Sequence, residues 1–390
     1  MKRVDLGGLG LDRGGHLLVK RALADAAPGE AIAVTGGPPD LLPQLNAFCR
    51  LNGHVLEALP AGELVVRRGT TDDVRRRTAA RIVAYPPAAR PPATWGLAAR
   101  GARVEAGSPA IDFSLDDKDA IWSDDAARIY AQAASAQWDP ATAVPWDARF
   151  ELPDDVEDAV VQVMTYLVEN ETAALVVPAR FLGKIHPHFR EVVAVLAVQV
   201  ADEARHIHVF TRRAGMRRAE LGLSTAGGQA SLKTLIDEPD FALASFLLSV
   251  LGEGSFLSLL TFLRDHAPDP VTRRVAELSG QDEARHVAFG LSHLERHVGM
   301  EPRMRERLAA ATRRRHDALA HTAGLNDEVF DALVLLGAGS YEPAAIARGW
   351  DAVVRLTTEM DAGRRRRLLR LGFTDVEAEE LSSLHTRNFM

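Results

Sequence analysis

The sequence is short of cysteine, of long apolar runs and of basic excess, and each shortage excludes something. One cysteine, Cys49, stands among 390 residues. It can form no intrachain disulfide framework and supply no thiolate-rich zinc site. No run of about 18 uninterrupted apolar residues occurs, which argues against a membrane span. The opening residues, MKRVDLGGLG, lack the long apolar core of a signal peptide. Lys and Arg number 46 against 53 Asp and Glu, a net charge of −7, which argues against a nucleic-acid partner. A cytoplasmic protein is the expectation. The one basic cluster, GRRRRLLRLGF over 363–373, reads as the solvated face of a helix, with a docking patch as the other option.

What is present is ordinary globular material, 47% hydrophobic and 25% charged, but with two textures. Residues 1–69 alternate short β-type runs with helical stretches in the order β-α-β-α-β-β, punctuated by Gly and Pro. Such a unit suits a small two-layer α/β domain. Residues 70–115 are less regular, and the prolines of YPPAARPPATWG forbid a continuous helix there. This stretch is expected to be a linker that wraps on the second domain. From 116 to 390 the chain reads as helical, with long helices over 154–182, 188–214, 239–266 and 269–298 and further helices over 302–322, 327–338, 343–370 and 374–386. The expectation is a mainly α, ferritin-like four-helix bundle with additional C-terminal helices, preceded by the small α/β domain.

Residues 4–69 resemble the TusA/SirA-like sulfur carriers, on VDLGGLGLDRGGHLLVKRAL, PGEAIAVTG and LNAFCRLNGHVLEAL. That family opens with Gly-Leu-x-Cys-Pro-x-Pro, whose Cys carries the persulfide. Leu11 stands at the cysteine here, and Asp12 and Gly14 at the prolines. Leucine has no nucleophilic sulfur, so the resemblance implies a fold and a docking or lid role, with a protein partner on residues 1–69, and no sulfur transfer. Cys49 falls at an apolar helical phase and reads as a buried structural thiol.

The pentapeptide DEARH occurs at 202–206 and again at 282–286. In each copy a Glu and a His stand three apart, Glu203 with His206 and Glu283 with His286, so each pair shares one helix face. Their neighbours are apolar, and burying such groups without a partner is costly. A cation removes that cost. Two other long helices each supply an acid in an apolar setting. FALASFLLSVLGEGSFLSLLTFL has Glu253 as its only charge, and VVQVMTYLVENETAALVVPARF offers Glu169 and Glu171. One Glu from each of two helices, with Glu-x-x-His from each of the other two, is the ligand set of dinuclear carboxylate proteins. The spacing from Glu171 to the first pentapeptide is close to that from Glu253 to the second, which favours Glu171 over Glu169 as the ligand. Asp202 and Asp282 are placed to accept the other ring N–H of the histidines, each from the opposite motif. Arg205 and Arg285 then balance the acidic surplus.

Tyr166 either approaches the metals or is a core aromatic. His208 is read as structural or as lining a channel, His186 and His188 as flanking a turn at Pro187, and His293 and His297 as solvent-facing. Trp122, Trp138 and Trp146 are read as packing anchors. Carboxylate and imidazole donors without thiolate suit iron or manganese, and less often zinc. The expected cofactor is two iron ions, with a mixed Mn/Fe pair as a variant and O2 as co-substrate.

Residues of about 116–300 resemble the ferritin-like di-iron oxygenases, most closely the p-aminobenzoate N-oxygenase group. The resemblance rests on two copies of a Glu followed about thirty residues later by Asp-Glu-x-Arg-His. It implies oxidation of a small organic substrate, often at an amine nitrogen and in a biosynthetic pathway, with electrons from an external donor. That group has a further His one turn before its second Glu-x-x-His, where this chain has Ser279. The resemblance therefore reaches the di-iron oxygenase class and leaves the reaction open. Two other readings compete with an oxygenase. One is a ferroxidase or iron-handling protein; the other is a non-enzymatic adaptor with a structural metal site. A homodimer is left open.

Overall fold

The structure, a computed structural model, describes residues 1–60, 62–320 and 327–385. It divides into two compact units, one of Met1–Pro86 with Pro92–Ile111, the other of Pro87–Pro91 with Asp112–Met390.

In the first unit the elements run β1 (Lys2–Asp5), α1 (Gly15–Ala24), β2 (Ala31–Thr35), α2 (Leu41–Asn52), β3 (Val55–Ala58) and β4 (Leu64–Arg67). The sheet order is β1-β2-β4-β3, with β1 parallel to β2 and the other pairs antiparallel. Val19, Leu23, Ile32, Leu45, Phe48, Cys49 and Val66 close the core between sheet and helices. Burial pushes the Cys49 thiol up to about 11, so it is an inert packing group.

The expected linker is mostly part of this unit. After α3 (Thr71–Thr78), β5 (Ala80–Arg81) pairs with β6 (Arg103–Val104). Arg75 reaches across to Glu105 at 2.8 Å, and Ile111 N–H donates to Ala93 O. These pairings hold 92–111 to what precedes them, so only Pro87–Pro91 and the residues from Asp112 onward join the second unit. A proline-rich stretch reads as a linker because it lacks periodicity, and such long-range pairings leave no local pattern.

The second unit is helical. Two short helices, α4 (Lys118–Ile121) and α5 (Ala126–Ser135), precede α6 (Asp154–Leu182), α7 (Arg190–Ala214) and α8 (Ala226–Ile236). Next come α9 (Phe241–Ser245), a π-helical segment over Phe246–Glu253 and α10 (Gly254–Asp265), which form one continuous rod. Then follow α11 (Pro270–Met300), α12 (Met304–Leu319), α13 (Asp327–Ala338), α14 (Pro343–Arg370) and α15 (Asp375–His385). The long helices begin and end close to where periodicity places them; the last residues expected in 302–322 and 374–386 lie outside the described residues. The starts have local causes: Asp240 and Asp269 cap α9 and α11 through Leu243 N and Thr272 N, and acidic residues fill the first turn of α6.

Helices α6 and α7 form one hairpin, α10 and α11 the other, and α7 packs on α11. At one end of the bundle Arg213 binds Glu157 at 2.7 Å and Asp269 at 2.8 Å, tying α7 to α6 and to the cap of α11. By length and composition α6 and Phe241–Asp265 could each cross a membrane; in this fold 67% and 83% of their apolar windows are buried inside the protein.

Candidate metal centre

Glu203 and His206 on α7, Glu283 and His286 on α11, Glu171 on α6 and Glu253 at the end of the π segment all point into the middle of the bundle. Each is at most 4% exposed. Their donor atoms form two groups, Glu171, Glu203, His206, Glu283 and Glu203, Glu253, Glu283, His286, each with donors within 4.8 Å of one another. Glu203 and Glu283 belong to both groups. The structure leaves Glu169 outside the cluster on a half-buried face, as expected for residues two apart on a helix.

Both imidazoles are used alike. His206 turns Nδ1 to the cluster, 3.2 Å from Glu203, 3.2 Å from Glu283 and 3.6 Å from Glu171. His286 Nδ1 lies 3.0 Å from Glu203 and 3.4 Å from Glu283. The far nitrogens cross over: His206 Nε2 is 3.1 Å from Asp282 and His286 Nε2 is 3.3 Å from Asp202. A proton held on Nε2 by the aspartate leaves the Nδ1 lone pair for a cation.

Arg205 donates to both aspartates and Arg285 to Asp282, so the acidic pair is neutralised within the motif. Burial pushes both aspartic acids up, but the facing imidazoles outweigh it and hold them below the ordinary carboxyl range.

Burial would raise Glu203 too, but the two imidazoles hold it below the ordinary carboxyl range; Glu171 and Glu253 are not compensated in this way. Burial first, then the neighbouring carboxylates, raise Glu171 and Glu253 well above the ordinary value. Burial alone would lower His206 and His286, but the surrounding acids raise both well above theirs. Glu171 Oε1 and Glu253 Oε2 are buried with no hydrogen-bond partner among the described residues, and the Glu283 oxygens lie 3.2 and 3.4 Å from His206 and His286 Nδ1 without hydrogen-bond geometry. Glu203 Oε1 and His286 Nδ1 are close but lack hydrogen-bond geometry. Uncompensated buried charges of this kind are strongly destabilising, and two divalent cations would balance four glutamates. Oxygen and imidazole donors without thiolate fit iron or manganese, so this buried cluster could hold metal.

Several contacts leave little trace in the sequence. Trp138, read as a packing anchor, donates its indole N–H to Asp282 at 2.8 Å, and Gln137 donates to Asp202 at 2.8 Å and accepts from Arg205. Both lie in the loop after α5, beyond any helical periodicity. Gln199 donates to Glu253 Oε1 at 2.9 Å; standing four residues before Glu203 on α7, it was findable as a polar residue on the ligand face. The Ser249 hydroxyl is close enough to favour the ionised form of Glu253. Its helix comes close to α11, where a Cβ on Gly290 would lie 2.5 Å from that of Ser249.

The other candidates fall elsewhere. Tyr166 is buried against Phe256, and the charges acting on it are Arg315 and Glu169. His208 is exposed. His293, expected in solvent, is fully buried between Phe241 and Phe289, with Nδ1 at the Trp122 carbonyl; burial lowers it to about 4. The face of α11 that carries the ligands continues at that position, because 286 and 293 are two turns apart. His297 is half-buried and pairs with Glu301. His186 and His188 are buried at their turn, where His188 accepts from Ala88 N–H. Ser279 is buried one turn before Glu283.

No family model matches the chain, and no curated protein matches its sequence. Solved structures of similar shape are R2-like ligand-binding oxidases. A point mutant with aerobically reconstituted Mn/Fe cofactor is 16% identical, covering 63% of this chain and 93% of its own, with a TM-score of 0.49. A second, with aerobically reconstituted Mn/Fe cofactor after a long soak, is 16% identical over 66% of this chain and 93% of its own, at 0.45. A third, from Sulfolobus acidocaldarius, is 16% identical over 60% and 89%, at 0.42. Likeness at this level decides nothing about the chemistry of this chain.

Proposed function

We propose that the chain is an O2-dependent oxidoreductase with a dinuclear iron or Mn/Fe centre, acting on a small organic substrate. One observation carries the reading: two buried donor groups overlap through Glu203 and Glu283, with all donors in each group within 4.8 Å. Glu171 and His206 would hold one metal and Glu253 and His286 the other, with Glu203 and Glu283 available to both. Bound there, the metal pair would supply O2 reduction, chemistry that side chains cannot provide.

The chain's own part is to hold and shield. Asp202 and Asp282 keep a proton on Nε2 of the histidines, so that each Nδ1 stays available. Arg205 donates to both aspartates and Arg285 to Asp282, adding positive charge beside them. Val195, Leu196, Leu248 and Phe289 are buried in the same bundle core and exclude water. An apolar void lined in part by Leu196, Phe241 and Phe289 reaches Ser249 and Gln199, which donates to Glu253.

Oxidation at an amine nitrogen is the finer proposal. It is supported by the twin motifs' resemblance to the N-oxygenases, although Ser279 stands where that group has a further histidine. For residues 1–69 we propose a TusA-like fold that docks a partner protein. Its support is the β-α-β-α-β-β order and the loss of the cysteine at Leu11.

Expression with iron, followed by elemental analysis and exposure of the reduced protein to O2, tests the class. About two metals per chain and an oxygen-dependent optical change are expected. Zinc alone, or no metal, would end this reading.

A further inference from the structure

The arginine run near the C-terminus is only in part the solvated face its composition suggests: Arg366 and Arg370 are exposed, but two others turn inward. On α14, Arg364 is 1% exposed, and Arg367 is half-buried with its Nη2 shut away from solvent. Arg364 and Arg367 each leave Nη2 without a hydrogen-bond partner among the described residues. Burying a guanidinium group is costly; Asp361 acts on Arg364, whereas the charges acting on Arg367 are those of Arg364 and Arg366, so the contacts Arg367 makes need a reason.

Arg364 Nε donates to Ser382 Oγ at 3.1 Å; one other contact from each arginine meets at a single turn. Arg367 Nε donates to the carbonyl of Val250 at 2.6 Å. Arg364 Nη1 donates to Ser255 Oγ at 3.2 Å, and that hydroxyl donates on to the Leu251 carbonyl at 2.7 Å. Residues 250, 251 and 255 bracket Glu253. Between them stands Gly254, where a Cβ would lie 2.4 Å from Cζ and Nε of Arg367. Only glycine lets the guanidinium lie across the backbone there.

The bracketed turn is the π segment, in which Gly254 N–H reaches back to Ser249 O. A π register is rare and poorly self-sustaining, and it collects at functional sites. If it relaxed to α by shedding its extra residue, the side chains beyond would turn by about 100°. Glu253, at the end of the segment, would then leave the cluster.

We propose that Arg367 is a positioning residue for Glu253. By donating to Val250 O across Gly254 it holds the π turn, and so holds the carboxylate that belongs to one metal position only. Arg364 supports the same turn through Ser255. This inference rests on the dinuclear reading above.

The test is titration of the metal-free full-length protein with Mn(II), followed by electron paramagnetic resonance. Wild type should show a coupled two-manganese spectrum at the second equivalent. In Arg367→Gln the second equivalent should bind about ten- to a hundredfold more weakly, and an isolated six-line Mn(II) signal should persist. Arg367→Lys, which keeps an N–H donor in reach, should recover part of the coupling. Arg366→Gln, on the exposed side of the same helix, should behave as wild type.

A folded Arg367→Gln with wild-type affinity and coupling overturns the proposal. If that variant does not fold, Gly254→Ala decides. It crowds the guanidinium off the turn and should give the six-line signal, whereas wild-type coupling overturns the proposal. Wild type binding fewer than two manganese ions would instead refute the dinuclear reading.

Discussion

The two halves of the bundle carry the same donors on different supports. In the α6–α7 half, Glu171 stands on an uninterrupted α-helix and its partner His206 leans on Asp282. In the α10–α11 half, Glu253 stands on a π turn, takes a hydrogen bond from Gln199 of the other half, and has Arg367 and Gly254 behind it. Asp282 gathers His206, Trp138, Arg205 and Arg285, while Asp202 gathers His286, Gln137 and Arg205. A duplicated ligand pattern therefore does not make two equivalent metal positions. The donors set which metals bind, and the supports decide how firmly each donor is held.

Replacing a shared ligand should break the comparison outright. Glu203→Ala or Glu283→Ala removes a member of both groups, and elemental analysis should show metal content falling towards none. Glu171→Ala and Glu253→Ala should separate the halves. Each is expected to lose one metal, leaving a mononuclear Mn(II) spectrum, and the two remaining spectra should differ because the retained donors sit in different surroundings.

Weakening the carboxylate–imidazole contacts should act less strongly. Asp282→Asn and Asp202→Asn should each lower metal affinity about ten- to a hundredfold in competition with a chelator. The larger loss is expected for Asp282, whose replacement also frees Arg285.

Proton linkage sharpens the same picture. Glu171, Glu253, His206 and His286 all have folded-state values raised above their ordinary 4.5 and 6.5. At these four groups the metal-free folded protein thus binds more protons than the unfolded chain, while Glu203, Asp202 and Asp282, held below their ordinary values, bind fewer. Its stability from the four raised groups is complete below those ordinary values and is lost as pH rises through the raised ones. Thermal melts of metal-free protein should fall as pH rises through the raised values of these four groups, while metal affinity rises as metal replaces the protons. The smallest effect is expected for Trp138→Phe. It removes one hydrogen bond from an aspartate that keeps its arginines, a loss on the order of 1 kcal/mol read as a few-fold change in chelator competition.

Legibility followed the range of the interactions. The α7 and α11 pairs and Glu253 were visible because a charge inside an apolar helix is a local anomaly. The positions of the long helices followed from periodicity and caps. The preference for Glu171 came from matching intervals in two hairpins, and the structure brings that residue, not Glu169, to the cluster. Trp138 and Gln137 were invisible in their role because a loop has no period to violate. His293 was misplaced because polarity suggested solvent, whereas helical phase put it on the buried face. The linker over 70–115 was misjudged because β5 and β6 meet across the proline-rich stretch that separates them in sequence.

Sequence alone determined the donor inventory: two Glu-x-x-His pairs, isolated acids on two other helices, and no thiolate to compete with them. Those are properties of residue type and helical spacing. Only the tertiary structure decided that the donors overlap through Glu203 and Glu283, that Trp138 and Gln137 lean on the two aspartates, and that two arginines of a basic run turn inward to the turn that carries Glu253. A π turn adds one residue where apolar periodicity reads a plain helix, and the carbonyl Arg367 reaches lies more than a hundred residues away in the chain. Contacts at that distance leave no local signature, and packing alone brings them together.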